Sequence, residues 1–326
     1  MTSLSVSPEA MSVLDLVRHA EQLVTTYVDP LVDARVETYA ARFTEARFDD
    51  DPARGVNIVT FHADVPDSHR FIDYVDVKHD HHGFDYRRIT QRFVDSALRF
   101  NPDARIFFIT GPDGLGPKPD PRVRVVRLPL DPRAPMYERV KAVTAYVRSA
   151  AFDRDTVFLD TDAFPNRPLA STFEADLDIG VTERPTENFY MPFNEGVIFA
   201  AARRPRAVRR FFDGYIGTYR ALMQDPLVAD YYGEITRWRG GQLSLNAVAL
   251  RMGARESVVA EPNHPAVVSL PCDSHNFWIV PNATPDPGLW NAKYVLHLKG
   301  DSKLLIAMLE QYQDDRFQTL EQGLAL

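Results

Sequence analysis

Through most of the chain, short apolar runs alternate with segments whose apolar residues recur at helical spacing. Runs rich in β-branched and aromatic residues at 55–61, 104–110 and 123–128 have the length and the flanking turn residues of strands. Between the first two runs, residues 86–100 place their apolar side chains on one helical face. Strands that alternate with helices in this way predict an α/β domain with a mainly parallel sheet and helices on both faces.

The same alternation continues toward the end of the chain. An apolar stripe over 136–147 predicts one helix, and an aromatic stripe predicts another over 203–222. Residues 237–241 are expected to turn the chain, so that Gln242 opens a short helix. Residues 256–290 are rich in Pro, Asn and Asp, which predicts irregular strands and loops. The strands predicted in this half are 157–159, 177–182, 193–200 and 293–296.

The N-terminal part has a different pattern. Residues 13–48 carry apolar positions at helical spacing that are interrupted at Asp29-Pro30, which predicts two helices. The stretch 49–55 has the composition of a linker. We therefore divide the chain into an N-terminal helical extension, residues 1–52, and one α/β domain, residues 53–326. The extension can pack on the core of that domain, form a contact between copies of a homo-oligomer, or contact a substrate.

Composition narrows the classes of protein. The chain has 326 residues, of which 45% are apolar and 25% are charged, as in ordinary soluble proteins. Its net charge of -8 disfavours proteins that hold nucleic acid by its phosphates. The single cysteine, Cys272, excludes an internal disulfide framework. The sequence shows neither a secretory signal nor an apolar run of membrane-spanning length, so we expect a cytoplasmic protein without a transmembrane segment.

Candidate chemistry lies where the predicted strand 157–159 ends, at Asp160-Thr161-Asp162. Side chains of an extended chain alternate between faces, so the two aspartates can point the same way. Two carboxylates beyond a buried strand supply the oxygen ligands that a divalent cation prefers. Two other interpretations stay open. The carboxylates can belong to a solvated turn that caps a following helix, and residues 157–162 also resemble the nucleophile motif of haloacid-dehalogenase-like phosphatases.

Polar residues near the ends of two other strands suggest a ligand site. Ligands of α/β sheets bind beyond the carboxyl ends of the strands, which places Thr60, Phe61 and Asp64 near a nucleotide base and ribose. Phe61 is equally explained as a core residue. In Asn194-Glu195-Gly196, the polar side chains can hydrogen-bond to sugar hydroxyls, and the glycine permits close backbone approach. A plain β-turn is the alternative.

Four motifs follow one another along the chain: Asp160-Thr161-Asp162, Asn194-Glu195-Gly196, Gly240-Gly241-Gln242 and His297-x-x-Gly300-x-x-Lys303. In this order they resemble the donor-site signatures of nucleotide-sugar glycosyltransferases with the GT-A fold. They are most similar to the retaining group that includes glycogenin and the bacterial lipopolysaccharide galactosyltransferases. The resemblance implies a GT-A architecture and metal-dependent transfer of a sugar from a nucleoside diphosphate sugar to a hydroxyl acceptor, which can be a glycan, a small molecule or a protein.

The resemblance also implies roles for individual residues. Asp160, Asp162 and His297 would bind Mn²⁺ or Mg²⁺. Glu195 and Gln242 would be catalytic residues, and Lys303 would neutralise the diphosphate as a point charge. Together with the residues beyond the first strand, the predicted donor-binding set is Thr60, Phe61, Asp64, Arg139, Asp160, Thr161, Asn194, Gly196, Gly300 and Lys303.

This sequence departs from the family at two positions. Gly241 stands where relatives usually have an acidic residue, and Leu304-Leu305 replaces the Pro-Trp that usually follows the lysine. These departures keep open a sugar-nucleotide-binding protein without turnover, beside the phosphatase. In a retaining transfer the leaving phosphate can take the proton of the acceptor, whereas an inverting transfer needs a carboxylate base such as Glu195 or Glu183.

The stretch Lys78-His79-Asp80-His81-His82 has several potential metal ligands. Adjacent histidines in a loop point in different directions, and neither Cys nor Glu lies at ligand spacing. We therefore expect a surface loop, with contact to the acceptor as the alternative.

Overall fold

The structure is a computed structural model that describes residues 18–23, 34–49, 55–64, 84–185, 191–254 and 264–322. Over 227–239 it describes the backbone alone. The histidine-rich stretch 78–82 and most of the first predicted helix lie outside the described residues.

The described chain forms one large sheet of seven strands. They are β1 (Asn57–Phe61), β2 (Arg105–Thr110), β3 (Val123–Arg127), β4 (Thr156–Asp160), β6 (Ile179–Glu183), β7 (Phe193–Ala200) and β8 (Val267–Pro271). Their order in the sheet is β3-β2-β1-β4-β7-β6-β8. β7 is antiparallel to both of its neighbours, and the other neighbouring strands are parallel. A second sheet of three short strands has the order β5 (Ala163–Pro165), β10 (Val295–His297) and β9 (Phe277–Trp278).

Helices cover both faces of the large sheet. They are α1 (18–23), α2 (Ala34–Glu45), α3 (Tyr86–Phe100), α4 (Pro135–Arg148), α5 (Pro205–Gln224), α6 (Pro226–Arg251), α7 (Cys272–His275), α8 (Pro287–Trp290) and α9 (Ile306–Glu321). Because side chains of a strand alternate, Val59 enters the core beneath α2, α4, α5 and α6, while Ile58 enters the core beneath α3 and α9. The predicted α/β class, with a mixed and mainly parallel central sheet flanked by helices, is confirmed. None of the described helices is long and apolar enough to cross a bilayer.

Helix α2 packs against the main domain. Val36, Tyr39 and Phe43 lie in the core that α4 also lines, and each is fully buried. The Tyr39 hydroxyl donates a 2.7 Å hydrogen bond to Glu138 of α4, which satisfies a carboxylate inside this core. The domain boundary at residue 52 stays a prediction.

The turn predicted at residues 237–241 is wrong, and so is the short helix predicted to open at Gln242. The chain is helical without interruption through α6, a helix of 26 residues. A Cβ on Gly240 would lie 2.0 Å from the Tyr219 ring of α5, and one on Gly241 would lie 2.4 Å from Glu195 Oε2. The two glycines therefore let α6 approach its neighbours closely, and they do not break the helix.

Candidate active site

The two aspartates lie at the carboxyl end of β4, where the parallel strands of the large sheet end together. Asp160 is the last residue of β4 and stands in register with Phe61, the last residue of β1. Asp162 follows in the turn that leads into β5. Thr161, between them, is half-buried. Ligands of α/β sheets bind at this edge, so the aspartates occupy the position that a ligand site requires.

The second sheet brings His297 to the aspartates. β10 runs antiparallel to β5 and sets His297 opposite Ala163, the residue after Asp162. The Leu298 amide donates a 2.9 Å hydrogen bond to the Asp162 carbonyl, which fixes the two segments to each other. His297 Nε2 lies 3.1 Å from Asp162 Oδ1 and 3.9 Å from Asp160 Oδ2. One ligand atom from each of the three residues lies within 4.8 Å of the other two, as around one ion.

Asn276 determines how the imidazole of His297 is oriented. Its Nδ2 donates to Thr182 Oγ1 at 2.9 Å and to Asn194 Oδ1 at 2.8 Å, so its Oδ1 faces His297. That oxygen lies 2.7 Å from His297 Nδ1, which must therefore carry the proton. The Nε2 lone pair then points at the two carboxylates. A lone pair facing carboxylates is a stable arrangement when a cation lies among them.

Burial also favours the neutral form of His297, which keeps the lone pair on Nε2. The side chain is buried, and burial lowers its pKa, although Asp162 opposes the shift. A neutral imidazole is the form that binds a metal ion.

Lys303 approaches the same aspartate from the 3₁₀ turn Gly300–Leu305. Its Nζ lies 2.5 Å from Asp162 Oδ2. Burial by itself would raise the pKa of Asp162, but the Lys303 charge holds that pKa well below its usual range. Gly300 begins the turn at φ +54°, a left-handed conformation that favours glycine. The predicted Gly300–Lys303 motif is thus a turn that places the ammonium group of Lys303 against Asp162.

Arg139 lies beneath Asp160 on α4 and is buried. Its Nη2 is 2.9 Å from Asp160 Oδ1 and donates a 2.7 Å hydrogen bond to the Glu195 carbonyl. Its Nη1 lies 3.2 Å from Glu195 Oε2. Burial would lower the pKa of Arg139, but the carboxylates of Asp160 and Glu195 raise it above its usual value. The arginine therefore stays charged and holds the Asp160 carboxylate in place.

A bulge in β7 brings the Asn194-Glu195-Gly196 motif into the site. Thr182 of β6 pairs with Asn194, whereas Val181 pairs with Ile198, so residues 195–197 leave the ladder with β6. Bulges of this kind re-aim side chains next to functional sites. At Gly196, a Cβ would lie 2.5 Å from His297 Cε1 and 2.8 Å from Asp160 Oδ2. Only glycine lets two of the candidate ligands pack against this strand.

Two amides on α6 hold the bulged strand. Gln242 Nε2 donates to the Phe193 carbonyl, and its Oε1 accepts a 3.1 Å hydrogen bond from the Glu195 amide. One helical turn later, Asn246 Oδ1 accepts from the Phe193 amide at 2.8 Å. The bond to the Glu195 amide replaces a ladder partner that the bulge removes, and the bonds to Phe193 hold the strand just before the bulge. Gln242 was predicted to be a catalytic residue, and the structure places its amide against the backbone of β7.

Glu195 is buried, and its carboxylate is held by two neighbours. Tyr215 donates a 2.9 Å hydrogen bond to Oε2, which also faces Arg139. Burial raises the pKa of Glu195, and the Arg139 charge opposes this shift. Neither Tyr215 nor Asn276 belongs to a motif, because each acts through contacts with residues distant in the sequence.

The residues predicted to meet the nucleoside lie on the β1 side of the aspartates. Thr60 is buried, and Phe61 packs at the margin of the core beneath α2 and α4. Asp64 is exposed, and its Oδ2 accepts a 3.1 Å hydrogen bond from the Leu115 amide. The structure thus brings together the three candidate metal ligands, Lys303, Arg139 and the β7 motif, with the β1 residues along one side.

No protein-family model and no curated protein matches this sequence. Solved structures of glycosyltransferases resemble the chain. A complex of the galactosyltransferase LgtC with donor and acceptor sugar analogs is 13% identical, with a TM-score of 0.45, over 80% of this chain and 96% of LgtC. GlyE of Streptococcus pneumoniae is 14% identical, with a TM-score of 0.45, over 80% of this chain and 60% of GlyE. The bifunctional WbbM is 11% identical, with a TM-score of 0.43, over 78% of this chain and 47% of WbbM.

This chain therefore spans about half of the WbbM chain and three fifths of the GlyE chain, but nearly all of the LgtC chain. Its own function must follow from its own residues.

Proposed function

We propose that this protein is a metal-dependent glycosyltransferase that moves a sugar from a nucleoside diphosphate sugar to a hydroxyl acceptor. One observation carries the proposal. Asp160, Asp162 and His297 converge within 4.8 Å at the carboxyl edge of the sheet, with Lys303 against them. Two anions, a neutral imidazole and a lysine around one point form a site that suits a diphosphate together with a divalent cation.

The residues fit Mn²⁺ or Mg²⁺. Both ions take carboxylate oxygens, and Mn²⁺ also accepts imidazole nitrogen. The Asn276 hydrogen bond leaves the Nε2 lone pair of His297 directed at the carboxylates, as a ligand requires. When bound, the cation would neutralise the negative charge that builds on the diphosphate as the sugar leaves.

Lys303 adds a second positive charge at the diphosphate. In the structure its Nζ contacts Asp162, and a cation bound to that carboxylate would compete with the lysine for it. The ammonium group is then available to a phosphate oxygen at the same position. Gly300, which has no neighbouring atom within 4 Å of where its Cβ would lie, leaves room for the diphosphate beside this turn.

Arg139 and Glu195 fix the positions of side chains beside the expected place of the transferred sugar. Arg139 anchors Asp160 and also neutralises Glu195, so that both carboxylates keep fixed positions before substrate arrives. Asn194, Glu195 and Gly196 would line the sugar, with Gln242 holding their strand. We infer that transfer proceeds with retention, in which the leaving phosphate takes the proton of the acceptor, because the Glu195 carboxylate is already held by Arg139 and Tyr215 and is poorly placed to act as a base.

The experiment is release of nucleoside diphosphate from a panel of sugar nucleotides, with Mn²⁺ or with EDTA. We expect turnover of one donor that EDTA abolishes and that Asp162→Asn reduces at least about a hundredfold, because one ligand charge is lost. Asp120→Asn is the matched control. Asp120 pairs with Arg122 just before β3, at the amino ends of the parallel strands, whereas the site aspartates lie at the carboxyl ends.

Failure to turn over any donor, with intact folding, would contradict the proposal. Binding of a donor without turnover would instead support a sugar-nucleotide-binding protein. Hydrolysis of simple phosphate esters in place of sugar nucleotides would support the phosphatase.

A further inference from the structure

Trp278 exposes an unusually large apolar surface. The side chain is 49% exposed, whereas Trp290 is buried at 2%. An exposed indole is worth explaining, because tryptophan is highly buried on average and its burial contributes much to stability.

The sheet register places Trp278 beside the candidate metal ligands. β9 runs parallel to β10 and pairs Trp278 with His297. Partners in neighbouring strands lie about 4.8 Å apart with their side chains on the same face. Trp278 therefore stands on the face of the small sheet that carries His297.

A hydrogen bond holds the ring in a fixed orientation. The indole Nε1 donates to Ser302 Oγ at 3.2 Å, and Ser302 is buried in the turn that delivers Lys303 to Asp162. The polar atom of the ring is thus used by the protein, so what remains exposed is apolar. A fixed apolar ring loses little conformational entropy when a partner stacks on it.

The position of Trp278 relative to the expected donor site indicates which substrate it contacts. Phe61 stands in register with Asp160 on the β1 side, where the nucleoside is expected. Trp278 stands in register with His297, on the other side of the three candidate ligands. Asn194 and Glu195 of β7 line the expected place of the transferred sugar. None of the predicted donor contacts involves Trp278, which leaves it to the second substrate.

We propose that Trp278 is a stacking platform for a pyranose ring of the acceptor, so that the acceptor is a carbohydrate. This inference rests on the proposed function. Pyranose rings carry axial C–H groups that make one face apolar, and such a face packs flat on an indole while the hydroxyls at the ring edge stay hydrated. The exposed side chain of Leu304, two residues after Ser302, extends the apolar surface around this turn.

Binding can be tested without turnover. Methyl α- and β-glucopyranoside and methyl α- and β-galactopyranoside are titrated into the protein while tryptophan emission is recorded. We expect at least one pyranoside to change the emission of the wild-type protein, and the change to be absent in Trp278→Phe, which keeps Trp238 and Trp290 as reference emitters. If no pyranoside changes the emission, or if the change persists in Trp278→Phe, the proposal is wrong.

Kinetic measurements then distinguish a role of Trp278 in acceptor binding from a role in donor binding. Trp278→Ala is expected to raise the KM for the acceptor about fivefold to tenfold, the size of one lost aromatic stack. Leu320→Ala, an equally exposed apolar residue on α9, is the control and should leave the acceptor KM unchanged. If Trp278→Ala instead weakens binding of the nucleoside diphosphate, the residue belongs to the donor site and the proposal fails.

The two proposals fail in different ways. A pyranoside that binds at Trp278 in a protein that turns over no sugar nucleotide would contradict the proposed function alone. Turnover with no pyranoside signal would contradict the role of Trp278 alone.

Discussion

At the scale of single residues, hydrogen bonds fix the orientation of the candidate metal ligands. Asn276 is the clearest case. Its Nδ2 donates to Thr182 and Asn194, so its Oδ1 is the atom that faces His297. Gly196 has a steric role instead, because it leaves room for His297 beside Asp160. The sequence motifs contain the candidate ligands and the glycine, but they do not contain Asn276.

Asn276→Ala is expected to weaken Mn²⁺ binding about tenfold to a hundredfold, the usual cost of removing a hydrogen-bond partner of a metal-binding histidine. Without the amide oxygen, either nitrogen of the imidazole can carry the proton. The measurement is the dissociation constant for Mn²⁺, from the electron paramagnetic resonance signal of the free ion.

Asn101→Ala is the control for this prediction. Asn101 is similarly buried and accepts a 2.8 Å hydrogen bond from the Leu169 amide, away from the aspartates. Equal Mn²⁺ affinity in the wild-type protein and Asn276→Ala would show that the amide does not orient the ligand.

Gly196→Ala is expected to abolish Mn²⁺ binding while the protein remains folded. The new methyl group would lie 2.5 Å from His297 Cε1 and 2.8 Å from Asp160 Oδ2, so at least one ligand must move. Titration of Mn²⁺ by calorimetry measures the loss. Gly217→Ala on α5 is the control, because nothing lies within 4 Å of its Cβ position and metal binding should be unchanged. Normal affinity in Gly196→Ala would be incompatible with this geometry.

The sequence predicts part of this constellation and misses part. Asp160, Asp162 and His297 were predicted as metal ligands from a short motif and a resemblance, and the structure brings them together. Tyr215 and Asn276 act on Glu195 and His297 across separations of 20 and 21 residues. A contact of that kind depends on how elements pack, and neither residue stands in a pattern that identifies it.

At the scale of elements, the sequence pattern predicts most helices and strands, but the turn predicted from Gly240 and Gly241 is wrong. The pair at Gly240 and Gly241 looks like a turn signal, because glycine is a poor helix former. The structure shows why a helix tolerates them: α5 and the β7 bulge approach α6 so closely that a Cβ has no room. Packing overrides local propensity here, and packing cannot be seen in one sequence.

Gly240→Ala therefore tests the packing of α6. Helix propensity alone predicts stabilisation of about 0.8–1.0 kcal/mol. We expect the opposite, a loss of about 1–3 kcal/mol, because the methyl group would lie 2.0 Å from the Tyr219 ring. Urea unfolding at equilibrium measures the change in the free energy of unfolding. In the same assay, Gly217→Ala should show the stabilisation that propensity predicts, and a stabilised Gly240→Ala would mean that the two helices are not in close contact.

At the scale of the whole molecule, hydrophobic patterning predicts the α/β class but not the order of the strands. Short apolar runs between amphipathic segments indicate β1 to β4 and the helices around them, and those elements are present. The reversal of β7 and its place between β4 and β6 are set by long-range pairing. So is the small sheet that positions His297, whose strands have two or three residues each. Strands that short carry too few residues to show a period.

Phe43→Ala tests whether α2 folds with the rest of the domain. Phe43 is fully buried and its ring contacts those of Phe107 and Tyr146. We expect a loss of about 3–5 kcal/mol in the free energy of unfolding, within a single transition. Circular dichroism and tryptophan fluorescence should report the same midpoint. Val125→Ala, at an exposed position on β3, is the control, and two separate transitions in Phe43→Ala would indicate that α2 is an independent unit.

The most direct measurement is the anomalous diffraction of manganese in crystals grown with Mn²⁺ and UDP, and in parallel with GDP. We predict one anomalous peak among Asp160, Asp162 and His297, with Lys303 turned from Asp162 toward the phosphates. We further predict that no peak is present in crystals of Asp162→Asn. Well-ordered crystals of the wild-type protein with nucleotide bound and no manganese among these three residues would contradict the account.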